Sequence, residues 1–202
     1  DYTHKQPRTG FDRFSVGKEV SQAALKAYQT IRYYNWVPIV MEEKKLTLDV
    51  RLPDDDELAR AQELVKTFAG RKPKSNAEVY AREAVLLRAM KPTRELKLQA
   101  LRIGDLGIAA IPNEVFAATG LDIKRKSPLK QTFTIELANG CEGYIPPPDQ
   151  HALGGYTTWR ARTSCLEVNA EPKIQATILE LLKRVNQQRR DEPSVLAKPA
   201  GN

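Results

Sequence analysis

No window of the 202-residue chain approaches the run of about 18 apolar residues that a membrane-spanning helix requires. The opening DYTHKQPRTGFDRF has neither the apolar core nor the small-residue cleavage site of a signal peptide. No transmembrane segment is expected. An initiating methionine is also lacking, so the chain is expected to begin partway through a longer protein. Histidine and cysteine are scarce, with two of each: His4, His151, Cys141 and Cys165. The cysteines have no metal-ligand spacing and are too few for a disulfide framework, so they say nothing about the redox compartment. With so few histidines, a self-contained zinc site of three protein ligands is not expected, although a partial one stays open. Also absent are a Gly-rich phosphate loop, Cys-x-x-Cys, His-Glu-x-x-His and Gly-x-Ser-x-Gly.

What the chain does have is charge, 32 Lys and Arg against 25 Asp and Glu for a net +7. A basic balance invites a nucleic-acid reading. Yet acids and bases are mixed along DDDELARAQELVK and EVYAREAVLLR, the pattern of a solvated face, and no nucleic-acid module is visible. Nucleic acid is therefore not expected as a partner. Hydrophobic residues make up 41% and are spread along the length, enough to bury one sizeable core.

Periodicity supplies the elements. Val16, Val20, Ala23, Ala24, Ala27 and Ile31 recur at three-four spacing and predict an amphipathic helix. Leu46, Leu48, Val50 and Leu52 alternate and predict a half-buried strand that Pro53 ends. Helices follow in DDDELARAQELVKTFAG and in SNAEVYAREAVLLRAM, the second with Ser75 as N-cap. ELKLQALRIGDLGIAAIP reads as two strands around a Gly104-Asp105 turn. A short helix in NEVFAATGLDIKRK, a strand in QTFTIELAN and a final helix striped by Ile174, Ile178, Leu181, Leu182 and Val185 complete the pass. The fold class predicted is α/β with a mixed sheet and flanking helices. Residues 1–187 are taken as the folded part and 188–202 as a disordered tail.

Between the last strand and the last helix lies NGCEGYIPPPDQHALGGYTTWR, a long stretch with Tyr144 and Tyr156. Such loops are usually functional or disordered. Glu114 follows the apolar strand LGIAAIP, at a strand end where α/β folds place ligands. Two strand ends could thus bring Glu114 and Tyr144 together. Locally, though, a Glu at a helix start is more often a capping or dipole-complementing residue, and a Tyr in a Pro-Gly loop more often packs.

The stretch from LRIGDLGIAAIPNEVF through FTIELANGCEGYIPPPDQHALGGYTTWRARTS resembles the C-terminal half of the catalytic domain of neutral/alkaline, non-lysosomal ceramidases. DYTH at residues 1–4 is similar to the end of that family's Gly-Asp motif. The resemblance implies an enzyme that cleaves the amide of an N-acylated sphingolipid or related acyl amide, using zinc held by two histidines, a glutamate and a tyrosine. Glu114, in IPNE with Asn113 where the family has glycine, would be the glutamate ligand. Tyr144, at the end of Asn139-x-x-x-x-Tyr144, would be the tyrosine ligand, and Tyr156 would stabilise the oxyanion. The histidines and a nearby serine would precede residue 1, so the upstream half of the same protein is implied as a partner, and this chain alone would be inactive. Export from the cell is implied by the same resemblance. His4 and His151 are not taken as substitutes, His151 being expected in a solvent-exposed loop. Asn139 is expected to hold its loop through backbone hydrogen bonds, Gly154-Gly155 to permit close backbone approach, Trp159 to pack, and Arg160 and Arg162 to bind a polar head group or form salt bridges. The alternative from a different class is a non-catalytic binding domain on the same scaffold.

Overall fold

The computed structural model describes residues 12–188. The motif remnant at residues 1–4, with His4, and nearly all of the expected tail, 189–202, lie outside the described residues. The chain divides into two compact units, and one of them holds residues 12–38. Its helix α1 (Arg13–Tyr28) starts on Asp12, whose carboxylate accepts from the amides of Phe14 and Ser15 while the Ser15 hydroxyl accepts from the Asp12 amide. That reciprocal cap explains where the helix begins. None of its residues is buried, and Ile31, expected on its stripe, lies beyond its end.

The other unit, Ile39–Arg189, carries everything else. Strand β1 (Ile39–Asp49) leads to helices α2 (Asp55–Lys66) and α3 (Asn76–Arg88), capped by Asp54 and by the expected Ser75. These two helices pack through Ala61, Ala81 and Ala84. Strands β2 (Thr93–Ile103) and β3 (Leu106–Ala110) then form the hairpin expected at Gly104-Asp105, where Gly104 adopts φ +59°. After β4 (Glu114–Val115), helix α4 (Ala117–Lys126) crosses over to β5 (Gln131–Ile135). A second short strand, β6 (Tyr144–Ile145), a short helix α5 (Pro148–Leu153) and the long α6 (Ala170–Gln187) finish the unit.

The sheet order is β1-β2-β3-β5, antiparallel for the first two pairs and parallel for β3 with β5. This is the mixed sheet with flanking helices that alternating elements imply. Along β2 every second residue, Leu96, Leu98, Ala100 and Arg102, is buried. The first three meet the α6 stripe of Ile174, Ile178, Leu181, Leu182 and Val185 in one core. Each such α6 side chain contributes roughly 1.5–3 kcal/mol by leaving water. Arg102, fully buried, donates from Nε to the Val185 carbonyl at 2.8 Å and from Nη2 to the Gln188 carbonyl at 3.2 Å. It supplies donors and positive charge where the last carbonyls of α6 lack partners.

The opposite sheet face is different. Met41, Leu101, Ile108 and Phe133 stand side by side across all four strands, and Ile39, Ile103 and Leu106 form the neighbouring row. Ile39 and Met41 are exposed, as are Phe133 and Ile135. Further along, the rows turn charged, with ion pairs Lys45–Glu95 at 2.8 Å and Lys97–Glu43 at 3.4 Å.

Candidate functional site

The site grows from the way β3 and β5 end. Beyond their regular pairing the two chains still run together: the Ile111 amide donates to the Ile135 carbonyl, the Ala138 amide to Ile111, and the Leu137 amide to Asn113. Leu137 and Asn139 then take left-handed conformations, φ +51° and +60°, which turn the second chain back toward the first. The strand expected through Asn139 therefore stops at Ile135. The returning segment pairs with Pro112 and Glu114, the Glu142 amide donating to the Pro112 carbonyl at 2.7 Å and the Glu114 amide to the Gly143 carbonyl at 3.0 Å. The result is a two-residue parallel ladder in which Glu114 lies opposite Tyr144.

Gly143 has φ +78°, and a Cβ there would stand 2.4 Å from the Thr163 carbonyl oxygen. Only glycine lets the backbone come that close. The Tyr144 amide uses the same carbonyl, donating to it at 2.8 Å. Glu142, alongside, forms an ion pair with Arg94 at 2.7 Å.

Glu114 and Tyr144 are both half-buried and lie opposite each other in the ladder. The carboxylate beside it raises the Tyr144 phenol well above the usual tyrosine range, with burial and the Tyr156 hydroxyl acting in the same direction. The phenol thus keeps its proton. Tyr156 stands edge-on to Tyr144, ring centroids 5.5 Å apart at 88°, and is itself exposed. All three residues singled out in the sequence are therefore brought together.

The stretch between the tyrosines is more regular than expected. It contains β6 and α5, after which Gly154 at φ +77° and Gly155 at φ +101° reverse the chain. A Cβ on Gly154 would meet nothing nearer than the Trp159 indole nitrogen at 3.9 Å. Both positions take a left-handed conformation that favours glycine. His151 lies on α5 and is half-buried, not solvent-exposed; burial, with Arg51 nearby, lowers its pKa.

Arg51, from the end of β1, ties down the following segment. Its guanidinium donates to the carbonyls of Leu166 at 2.8 Å, Thr158 at 3.1 Å and Ser164 at 2.6 Å. Arg160 pairs with Glu57, and Arg162 with Glu83 at 2.9 Å, which resolves their two readings toward salt bridges. Trp159 packs edge-on against Tyr80, 5.2 Å between centroids. Asn139 holds its loop through the Gln99 side chain at 2.6 Å instead of through backbone. Cys141 and Cys165 are free thiols.

Among the described residues no group of three or more His, Cys, Asp or Glu could hold a metal ion. Glu114 and Tyr144 nonetheless fit as part of a zinc set. They are two oxygen donors set opposite each other across the ladder, the carboxylate being a ligand type zinc accepts. A cleft of about 450 Å³ opens nearby between α4 and β5, lined by Val115, Phe116, Leu121 and Phe133 with Lys124 and Glu136. None of the three site residues lines it.

Asn113, Gly143 and Arg51 were not singled out as site-building residues by sequence. A Gly shortly before the candidate tyrosine was the one available signal.

The chain matches no family model and no curated protein. Among solved structures it is similar to a ceramidase complexed with C2, with 14% identity and a TM-score of 0.46, covering 82% of this chain and 33% of that one. It is also similar to neutral ceramidase from Pseudomonas aeruginosa, with 16% identity and a TM-score of 0.49, covering 100% of this chain and 37% of that one. The chain thus spans about a third of the length of these structural neighbours.

Proposed function

We propose that the chain supplies the carboxylate–phenol side of a ceramidase-like, zinc-dependent amide hydrolase site. In this reading Glu114 and Tyr144 hold zinc, and Tyr156 donates a hydrogen bond to the oxyanion that develops on an N-acyl amide. The substrate class is an N-acylated sphingolipid or a related acyl amide, and the remaining ligands are two histidines from residues preceding Asp1 in a longer protein. The observation that supports the reading most is the register pairing of Glu114 with Tyr144 across the β4–β6 ladder, with Tyr156 set edge-on beside Tyr144.

Zinc, when held there, would supply Lewis acidity that polarises an amide carbonyl and would lower the pKa of a bound water to about 7. The chain's own residues do the rest. Glu114 and Tyr144 would hold the metal, the carboxylate contributing negative charge and the phenol a second oxygen donor. Tyr156 is exposed enough to face a substrate, and a fixed donor of this kind typically accounts for about 10²–10³ in rate.

The test is metal content and amide hydrolysis in protein that carries the preceding residues. About one zinc per chain, lost in Glu114→Ala, is expected. Protein that binds no zinc would favour the non-catalytic binding domain.

A further inference from the structure

We infer that Asn113 is the positioning residue of this site, holding Glu114 and Tyr144 in register by gripping the two carbonyls that precede Tyr144. The inference deepens the proposed function and rests on Glu114 and Tyr144 being the working pair. Asn113 is fully buried, between the end of β3 and Glu114. Its Nδ2 donates to the Glu142 carbonyl at 3.0 Å and to the Gly143 carbonyl at 3.2 Å. The Gly143 carbonyl also accepts the Glu114 amide. One side chain therefore reaches from the residue before the candidate carboxylate to the residue before the candidate phenol.

Two features separate this from ordinary packing. Asn113 Oδ1 is buried without a hydrogen-bond partner among the described residues, and burying such an acceptor is costly. A smaller apolar residue would avoid that cost, so what the position gains from asparagine is the pair of N–H donors. The ladder they serve is only two residues long. It has no neighbouring strand pairs to enforce its register, and a slip by one residue would send the Tyr144 side chain to the other side.

Gly143 and Thr163 complete the grip. The Thr163 carbonyl receives the Tyr144 amide and fills the space a Cβ on Gly143 would need. Asn113 therefore fixes the segment from one side and Thr163 from the other.

The test uses the metal-free, isotope-labelled 202-residue chain. Asn113→Gly is expected to speed amide exchange at Glu114 by at least about tenfold relative to core amides and to abolish the ring-to-ring nuclear Overhauser effect between Tyr144 and Tyr156. Leu98→Ala, a core truncation with at least as large a global stability loss, should leave both signals in place. Unchanged signals in Asn113→Gly, or equal loss of both in Leu98→Ala, would overturn the inference. Should Asn113→Gly fail to fold, the unmodified chain still decides. Slow exchange of the Asn113 side-chain amide protons, with scalar coupling to the Glu142 and Gly143 carbonyl carbons, supports the inference, and solvent-like exchange overturns it. All of these signals are read without metal. A chain that shows them and whose longer form binds no zinc would overturn the zinc reading alone.

Discussion

Glu114 and Tyr144 are register partners in a parallel ladder, although α4 and β5 separate them in the chain. The carboxylate holds the Tyr144 phenol well above the usual tyrosine range. A carboxylate next to a phenol is a weak arrangement for stability, because the phenol could equally be solvated. Tyr144→Phe should therefore cost about 1 kcal/mol or less in urea unfolding, while abolishing zinc binding in the longer protein. A large stability loss would mean that the hydroxyl serves the fold.

The glycines on either side of β6 and α5 should respond differently to the same change. Ala at Gly154 meets only its positive φ, a penalty of about 1–2 kcal/mol. Ala at Gly143 meets the same penalty plus a backbone oxygen that cannot move aside, and should lose at least about 3 kcal/mol. Paired thermal or urea unfolding curves of the two variants check the order.

Two buried glutamates set opposite slopes in the dependence of stability on pH. The Arg162 guanidinium holds the Glu83 carboxyl below its ordinary 4.5, so its contribution is present above that pH and fades as pH falls through the folded value. Burial, with Asp122 and Asp149 adding, raises Glu171, so its contribution is present below 4.5 and is lost as pH rises through the folded value. Glu83→Gln should flatten the loss of stability in acid. Glu171→Gln should stabilise near pH 7 and not near pH 3, as unfolding at both values would show.

Arg51→Lys tests the anchor behind the second tyrosine. An ammonium cannot span the carbonyls of Thr158, Ser164 and Leu166 that the guanidinium reaches together. A loss of about 2–3 kcal/mol is expected, with faster amide exchange over residues 157–166 and unchanged exchange in β2. Uniform change across both regions would argue against a local anchor.

The elements readable in the sequence were those whose burial follows one period. The α6 stripe, the Gly104-Asp105 hairpin and the Ser75 cap all emerged where the pattern placed them. Strand β1 begins at Ile39, well before the alternation that marked it, because Glu42 and Lys44 occupy the α6 side of the sheet. They do so by reaching polar partners at its rim, Lys44 bonding Glu180 at 2.9 Å and Gln188 bonding Glu42. Strands β4 and β6 were invisible because two residues carry no period, and α5 because prolines and glycines mask so short a helix. Glu114, Tyr144 and Tyr156 came from resemblance to a family, since spacing alone favoured a cap and surface packing. Asn113 could not be ranked before its two carbonyl partners were known.

The exposed residues of the sheet face opposite α6, Ile39, Met41, Phe133 and Ile135, have a colloidal consequence. Copies of the chain present one another with an oily, strand-edged surface, and what keeps them apart in dilute buffer is their common charge of +7. Salt shortens the reach of that repulsion to about 8 Å at physiological strength. Solubility of the isolated chain should therefore fall as salt is added, the reverse of what a fully polar surface would show.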